Sequence, residues 1–219
     1  AYIVAASFFT ITGFFFVASV SDAFSEASIR GFLAGAVFFM IFLSPALTMR
    51  LIAEEQKLGT MELLMTSPLK DFEIVLGKFL AALSIIIVMI IGTFFYPIIL
   101  IIFGVPDFGP IFTGYLGLIL YSSATLSVGI FASSLSSNQL VSLVVGSGIL
   151  SFLTFIDFVS SRVTGVFGTI LNELQLGGSF SLFDSSSFGI AEGGHFADFA
   201  RGIINFYDII FYISISAIF

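Results

Sequence analysis

The sequence predicts an all-α protein that crosses a membrane several times. Of its 219 residues, 58% are hydrophobic and only 10% are charged, whereas a typical soluble domain carries roughly 25% charged residues. Several apolar runs also reach the roughly 20 residues that a helix needs to cross the hydrocarbon core. None of these runs alternates between apolar and polar residues as barrel strands do. These observations predict a polytopic helical membrane protein.

Six apolar segments are expected to span the membrane within a single transmembrane domain, residues 1–219. Pro97 falls in the third segment, where the missing backbone N–H predicts a kink. The sequence begins and ends inside apolar runs, so we expect both natural termini to lie beyond it. The predicted spans are about 1–20, 32–49, 74–103, 111–133, 140–158 and 203–219.

The distribution of basic residues predicts the orientation in the membrane. Cytoplasmic loops carry an excess of Lys and Arg, and the insert between the second and third segments, residues 50–73, contains three of the seven basic residues, with a fourth just beyond it. Alternation then places both termini in the cytoplasm and the longer region 159–201, before the sixth helix, on the outer side. The basic residues in and around the insert are Arg50, Lys57, Lys70 and Lys78.

The insert is predicted to form short helices. Residues 49–58 are expected to continue the second helix, with Arg50 and Glu54, and Glu54 and Lys57, at spacings that allow side-chain pairing. Gly59 is expected to end this helix, and Thr60 to cap a brief one. That brief helix would present an apolar patch, which either a partner protein covers or the membrane surface receives. Ser67 and Pro68 then begin the helix that enters the membrane.

The order of polar and glycine residues in the insert resembles the signature of type-2 ABC exporter permeases. It consists of Arg50, Glu54-Glu55, Gly59-Thr60, Glu62-Leu63-Leu64, Ser67-Pro68 and Gly77-Lys78. Residues 195–212, HFADFARGIINFYDIIFY, resemble the gliding-motility-type branch of that family. In this family a coupling helix in the insert docks on a cytoplasmic ATPase. The docking residues that the resemblance implies are Glu54, Glu55, Gly59, Thr60, Met61, Glu62, Leu63, Leu64, Met65, Ser67 and Pro68.

The resemblance also implies partners and a location. They are a cytoplasmic ABC ATPase, a second permease subunit in a homo- or heterodimer, the lipid bilayer of a bacterial inner (plasma) membrane, and an auxiliary protein on the outer side. Small residues spaced by four predict close helix packing, within the subunit or at a subunit interface. These small residues are Gly31, Gly35, Gly129, Ser133, Ser142 and Gly146.

Two other polar residues are candidates for a site. His195 has acidic residues three positions away on either side, which is a metal-ligand spacing on a helix, but the preceding glycines disfavour a helix and predict a surface position. Asp208 is either a buried intramembrane carboxylate or a marker of the outer mouth of the last helix.

The sequence predicts no catalytic, cofactor or metal site. It contains no cysteine, no phosphate-binding G-x-x-x-x-G-K-[ST] loop and no nucleophile elbow. Its net charge of −7 disfavours a nucleic-acid partner. The resemblance makes an ABC transporter permease that exports a substrate the leading hypothesis. The alternative is a non-transporting membrane scaffold, and an intramembrane enzyme is disfavoured.

Overall fold

The protein is a bundle of apolar helices in the computed structural model. The described residues are 2–20, 28–60, 70–104, 106–160, 162, 168, 171, 173–177, 179–180, 190–191 and 194–219. The helices are α1 (Tyr2–Val20), α2 (Arg30–Thr48), α3 (Ala53–Leu58), α4 (Asp71–Gly92), α5 (Phe95–Phe103), α6 (Phe108–Ser134), α7 (Gln139–Ser160), α8 (His195–Arg201) and α9 (Phe206–Ile218). One antiparallel pair of two-residue strands, β1 (Ser179–Phe180) and β2 (Ile190–Ala191), lies between α7 and α8 in the chain.

The predicted all-α membrane fold is confirmed. Within the described part of the chain, five helical stretches are long and apolar enough to cross a membrane, and the third of them comprises α4 and α5 together. A sixth apolar helix, α9, has 13 residues, which corresponds to roughly 20 Å of helix. It is therefore shorter than the last span that the sequence predicts.

Helix α6 is the centre of the bundle. It packs against α2, α4, α7, α8 and α9, while α1 packs on α2. Hydroxyl groups join α6 to its neighbours inside this apolar interior: Ser44 and Thr125 oxygens lie 2.8 Å apart, and Ser123 and Ser216 oxygens 3.0 Å apart. Such bonds between membrane helices add to packing because lipid offers hydroxyls no other partner.

The glycines singled out from the sequence lie where helices of the same chain approach each other. A methyl group at Gly31 would lie 2.2 Å from Ser19 Cβ of α1, and one at Gly35 would lie 2.5 Å from the ring of Phe15. Beyond these two, a methyl group at Gly129 would lie 2.3 Å from the Thr48 hydroxyl, and one at Gly146 would lie 3.1 Å from Pro45. The Ser142 hydroxyl donates to the carbonyls of the turn before α7.

The third membrane stretch is broken at the place where Pro97 predicts a kink. Pro97 has no N–H to donate to the carbonyl of Thr93, four residues earlier. That carbonyl instead accepts from the Tyr115 hydroxyl of α6, at 3.0 Å, and from the Tyr96 N–H, at 3.0 Å. The break between α4 and α5 is thus stabilised by a side chain of the central helix.

We expect replacement of Tyr115 by phenylalanine to destabilise the protein by about 1 kcal/mol, because one hydrogen bond is lost while the ring remains packed. Unfolding of the purified protein in detergent, followed by circular dichroism, measures this change. Tyr2→Phe is the matched control, since Tyr2 is 93% exposed. Equal stability of the two variants would contradict a role for Tyr115 at the break.

Candidate functional site

The helix that the sequence predicts over residues 49–58 is interrupted, so that prediction is wrong in its first part. Four residues separate α2 from α3, and Ser133 near the end of α6 explains why. Its hydroxyl oxygen accepts from the N–H groups of Ile52, at 3.2 Å, and Ala53, at 3.1 Å, and donates to the Met49 carbonyl. Ser133 therefore satisfies the free N–H groups at the start of α3, as an N-cap residue would.

The far end of α3 is closed by Gly59, as predicted. Gly59 has a φ of 70° and its N–H bonds to the carbonyls of Glu55 and Gln56. Such a left-handed position favours glycine at a helix C-terminus. The Gln56 side chain donates to the Ser134 carbonyl at 3.1 Å, which gives α3 a second contact with α6.

Lys78 of α4 joins α3 from the other side. Its Nζ lies 2.6 Å from Glu55 Oε1, and the two side chains are 16% and 32% exposed, so the ion pair is largely shielded from water. Nζ also donates to the Leu51 carbonyl. The pairs expected within the helix, Arg50 with Glu54 and Glu54 with Lys57, do not form among the residues that the structure describes.

These contacts define one unit, which we call the α3 junction. It ties α3 to α6 through a serine hydroxyl and to α4 through an ion pair. Glu55 Oε2 is buried there and has no hydrogen-bond partner within the described ranges. The residues of the α3 junction are Met49, Leu51, Ile52, Ala53, Glu55, Gln56, Lys78, Ser133 and Ser134.

Only part of the predicted docking set falls within the described chain. Glu54 and Glu55 lie in the first turn of α3, Gly59 ends it, and the exposed Thr60 donates to the Glu55 carbonyl. The brief helix expected after Thr60 lies outside the described residues. So do Met61, Glu62, Leu63, Leu64, Met65, Ser67 and Pro68. Beyond that gap, the Lys70 N–H bonds to Glu73 at the start of α4.

A second polar cluster lies at the start of α8 and α9, and the sequence did not predict it. His195 was expected at the surface, but it is 7% exposed, so that expectation is wrong. Its Nδ1 lies 2.6 Å from Asp208 Oδ1 and its Nε2 lies 3.1 Å from the Glu173 carbonyl oxygen. The ring stacks on Phe211, with 3.8 Å between centroids. Asp208 is both buried, at 4%, and placed in the first turn of α9.

The chain reversal after α8 explains why residue spacing in the sequence did not predict the carboxylate that contacts His195. Gly202, with a φ of 92°, ends α8, and the following residues turn the chain so that α9 packs beside it. The carboxylate that meets His195 is therefore Asp208, thirteen residues away, and Asp198 instead accepts from Asn205. In the described part of the chain, no group of three acidic or histidine side chains is arranged to hold a metal.

Helix α8 lies beside the first half of α6, with Phe196 against Tyr121 near the middle of α6, whereas the α3 junction lies at the end of α6. At its start, Thr113 donates to the Phe199 carbonyl of α8 at 2.6 Å, and at its end Ser133 binds α3. Since α6 has 27 residues, roughly 40 Å of helix separates the two ends. The geometry supports a membrane bundle in which α6 is fastened to α8 along its first half and to α3 at its end, and among the described residues it brings no nucleophile and base together.

This architecture defines an integral membrane subunit with a short polar insert between its second and third spans. A comparison with protein families gives a match to the family described as ABC-2 family transporter protein, over residues 17–218. The match covers most of the chain, and the protein belongs to this family. It is thus a permease-type membrane subunit of an ABC transporter, a class that in general works as a dimer with ATPase partners. No curated protein and no solved structure matches the chain.

Proposed function

We propose that this permease subunit exports a substrate, and that an ATPase bound at the cytoplasmic insert drives it through the α3 junction. This proposal rests on the ion pair that Glu55 of α3 and Lys78 of α4 form across the insert. The chain enters the insert from α3 and leaves it into α4, so both ends of the insert are tied to each other. A displacement of the insert is then transmitted to α4 through Lys78 and to α6 through Ser133.

The docking surface in this proposal is the apolar side of the insert. Met61, Leu63, Leu64 and Met65 are apolar residues in an otherwise charged stretch, and burial against an ATPase groove would remove them from water. Glu54 and Glu55 would precede this surface on the permease side. Under this proposal the insert and both termini are cytoplasmic, and α8 lies near the outer side.

The assembly proposed is a dimer of permease subunits on two ATPase subunits, in the plasma membrane of a bacterium. The second permease is a copy of this chain or a related one, and an auxiliary protein binds on the outer side. Residues 195–212 favour the gliding-motility-type branch of the family. This assignment rests on the family match and on the residue pattern of the insert.

The test is co-purification of the full-length protein from mild detergent, with assay of ATP hydrolysis. We expect a stoichiometric ATPase whose affinity falls about tenfold or more with Leu64→Asp, because a buried apolar contact is replaced by an unpaired charge. Leu64→Met keeps the side chain apolar and is the matched control. An unchanged ATPase association in Leu64→Asp would exclude Leu64 as a docking residue. Co-purification of other membrane subunits without an ATPase would support a scaffold instead.

A further inference from the structure

Helix α8 begins deep inside the bundle. Its Phe196 ring lies 5.8 Å from the ring of Tyr121 in α6. One turn later, its Phe199 carbonyl accepts from Thr113, at 2.6 Å, so α8 runs antiparallel to α6. Tyr121 is the middle residue of α6, which is long enough to cross a membrane. Helix α8 therefore starts at about half the depth of the bundle and runs toward the start of α6.

Segment 173–177 lies at the same depth. The Leu176 N–H donates to the Leu153 carbonyl of α7, at 3.2 Å, and the Leu176 carbonyl accepts from the Tyr212 hydroxyl of α9, at 2.7 Å. The Tyr212 ring lies 6.1 Å from the ring of Tyr121. Residues 175–177 are not helical, and non-helical chain at membrane depth needs polar partners from protein or water. This segment therefore places polar groups where lipid could not satisfy them.

Buried polar atoms without hydrogen-bond partners concentrate around this segment. Gln175 is 0% exposed, and within the described ranges neither its Oε1 nor its Nε2 has a partner. The same holds for Thr154 Oγ1 and for Oδ2 of Asp208, which bonds to His195 through its other oxygen. Of the five such atoms in the described chain, four belong to these three residues, and the fifth is Glu55 Oε2. The unpartnered atoms are thus a property of this region rather than of the bundle as a whole.

Two glycines bring the surroundings of Gln175 and Thr154 together. A methyl group at Gly194 would lie 3.1 Å from Gln175 Oε1 and 2.1 Å from the Gly177 carbonyl oxygen. A methyl group at Gly177 would in turn lie 3.1 Å from Thr154 Cγ2. The Tyr121 hydroxyl, which faces Thr154, donates to a carbonyl of α2 at 3.4 Å. The Gln175 and Thr154 side chains therefore border the same small region.

Water is the partner that fits this set of atoms. A carboxamide offers two donors and one acceptor group, a hydroxyl both donates and accepts, and a carboxylate oxygen only accepts. A water molecule can donate to some of these atoms and accept from others, and a buried water typically bonds to about two to four such groups. Leaving them unpaired in apolar surroundings would be costly. Asp208 adjoins the set through His195, which directly follows Gly194 in the chain.

We propose that segment 173–177, α7 and the paired helices α8 and α9 enclose an internal water site at about half the depth of the membrane. The bound water bridges Gln175, Thr154 and Asp208. Gln175 is the central ligand of the site, because its whole carboxamide is available for hydrogen bonding. The site is independent of which substrate the permease moves and of whether the insert binds an ATPase.

Hydroxyl-radical footprinting of the purified full-length protein in detergent tests the water site. X-rays generate the radicals from water, including water held inside a protein, and mass spectrometry locates the oxidised side chains. Tyr212 and Tyr96 are matched reporters, since they are 0% and 3% exposed. Tyr212 bonds to Leu176 of the segment, whereas Tyr96 bonds to Phe9 of α1. We expect Tyr212 to be oxidised about fivefold or more faster than Tyr96.

Gln175→Leu removes the central ligand of the water site. Leucine keeps most of the side-chain volume but makes no hydrogen bond, so the ratio of the Tyr212 rate to the Tyr96 rate should fall by about threefold or more. Gln139→Leu makes the same replacement at the start of α7, outside the site, and should leave the ratio unchanged. Equal rates for the two tyrosines in the unchanged protein, or equal ratios in the two variants, would overturn the proposal.

A second measurement needs no variant. The sequence contains three glutamines, Gln56, Gln139 and Gln175, so NMR of protein labelled with heavy nitrogen in the glutamine side chains shows three carboxamide groups. The group of Gln175 is identified by its through-space contacts with Leu176. We expect its Nε2 hydrogens to receive magnetisation directly from water. A Gln175 carboxamide that receives magnetisation only from protein hydrogens would show that no water is bound there.

Discussion

We expect Lys78→Met to destabilise the protein by about 2 kcal/mol, because it leaves the shielded Glu55 carboxylate without a counter-charge. The Leu51 carbonyl loses a donor in the same variant. Methionine has nearly the same length as lysine, so packing around α4 is kept. Unfolding with increasing concentrations of a denaturing detergent, followed by circular dichroism, measures the decrease in stability.

The double variant Glu55→Gln with Lys78→Met is the control for charge. Removing both charges takes away the unpaired carboxylate, so about half of the lost stability should return. If Lys78→Met were as stable as the unchanged protein, the ion pair would contribute nothing to the α3 junction. Lys70→Met provides a further comparison, since Lys70 is exposed just before α4.

We expect Ser133→Ala to lower the free energy of unfolding by about 2–4 kcal/mol, which is more than the effect of Lys78→Met. The substitution removes the acceptor for the N–H groups of Ile52 and Ala53, which are both buried, and each buried unsatisfied donor costs about 1–3 kcal/mol. Ser133→Thr keeps the hydroxyl and should retain most of the stability. The neighbouring Ser134→Ala is the matched control, because the Ser134 hydroxyl is exposed and bonds only to a carbonyl of its own helix.

Protease sensitivity provides an independent test of how Ser133→Ala affects α3. The start of α3 should fray once its N–H groups lose their partner, so cleavage within residues 49–58 should become faster in Ser133→Ala than in Ser134→Ala. Equal cleavage rates and equal unfolding curves for the two variants would show that Ser133 does not hold α3 in place.

The helical membrane fold could be predicted because its determinants are local. Runs of apolar residues long enough to cross the bilayer are visible in the sequence without knowledge of their neighbours. Pro97 and Gly59 act through their own backbone, one lacking an N–H and the other adopting a positive φ. The break at Pro97 and the end of α3 were therefore both anticipated.

The α3 junction could not be predicted because its partners are far apart in sequence. Ser133 lies about eighty positions from the N–H groups that it satisfies, and Lys78 meets Glu55 rather than any residue at helical spacing. Sequence patterns compare residues three or four apart, which led to the expected pairing of Glu54 with Lys57. Small residues such as Ser133 were recognised only as packing positions, and their hydrogen-bonding role depends on which backbone they meet.

Helix α6 connects α8 rigidly to α3. It is bound near its start by Thr113 to α8 and near its end by Ser133 to α3. Twenty residues, roughly 30 Å of helix, separate Thr113 from Ser133, so a tilt of about 7° moves one of these contacts by about 3.7 Å relative to the other. That displacement exceeds the length of a hydrogen bond. A rigid tilt of that size would therefore break the hydrogen bond at one contact if the other stayed in place.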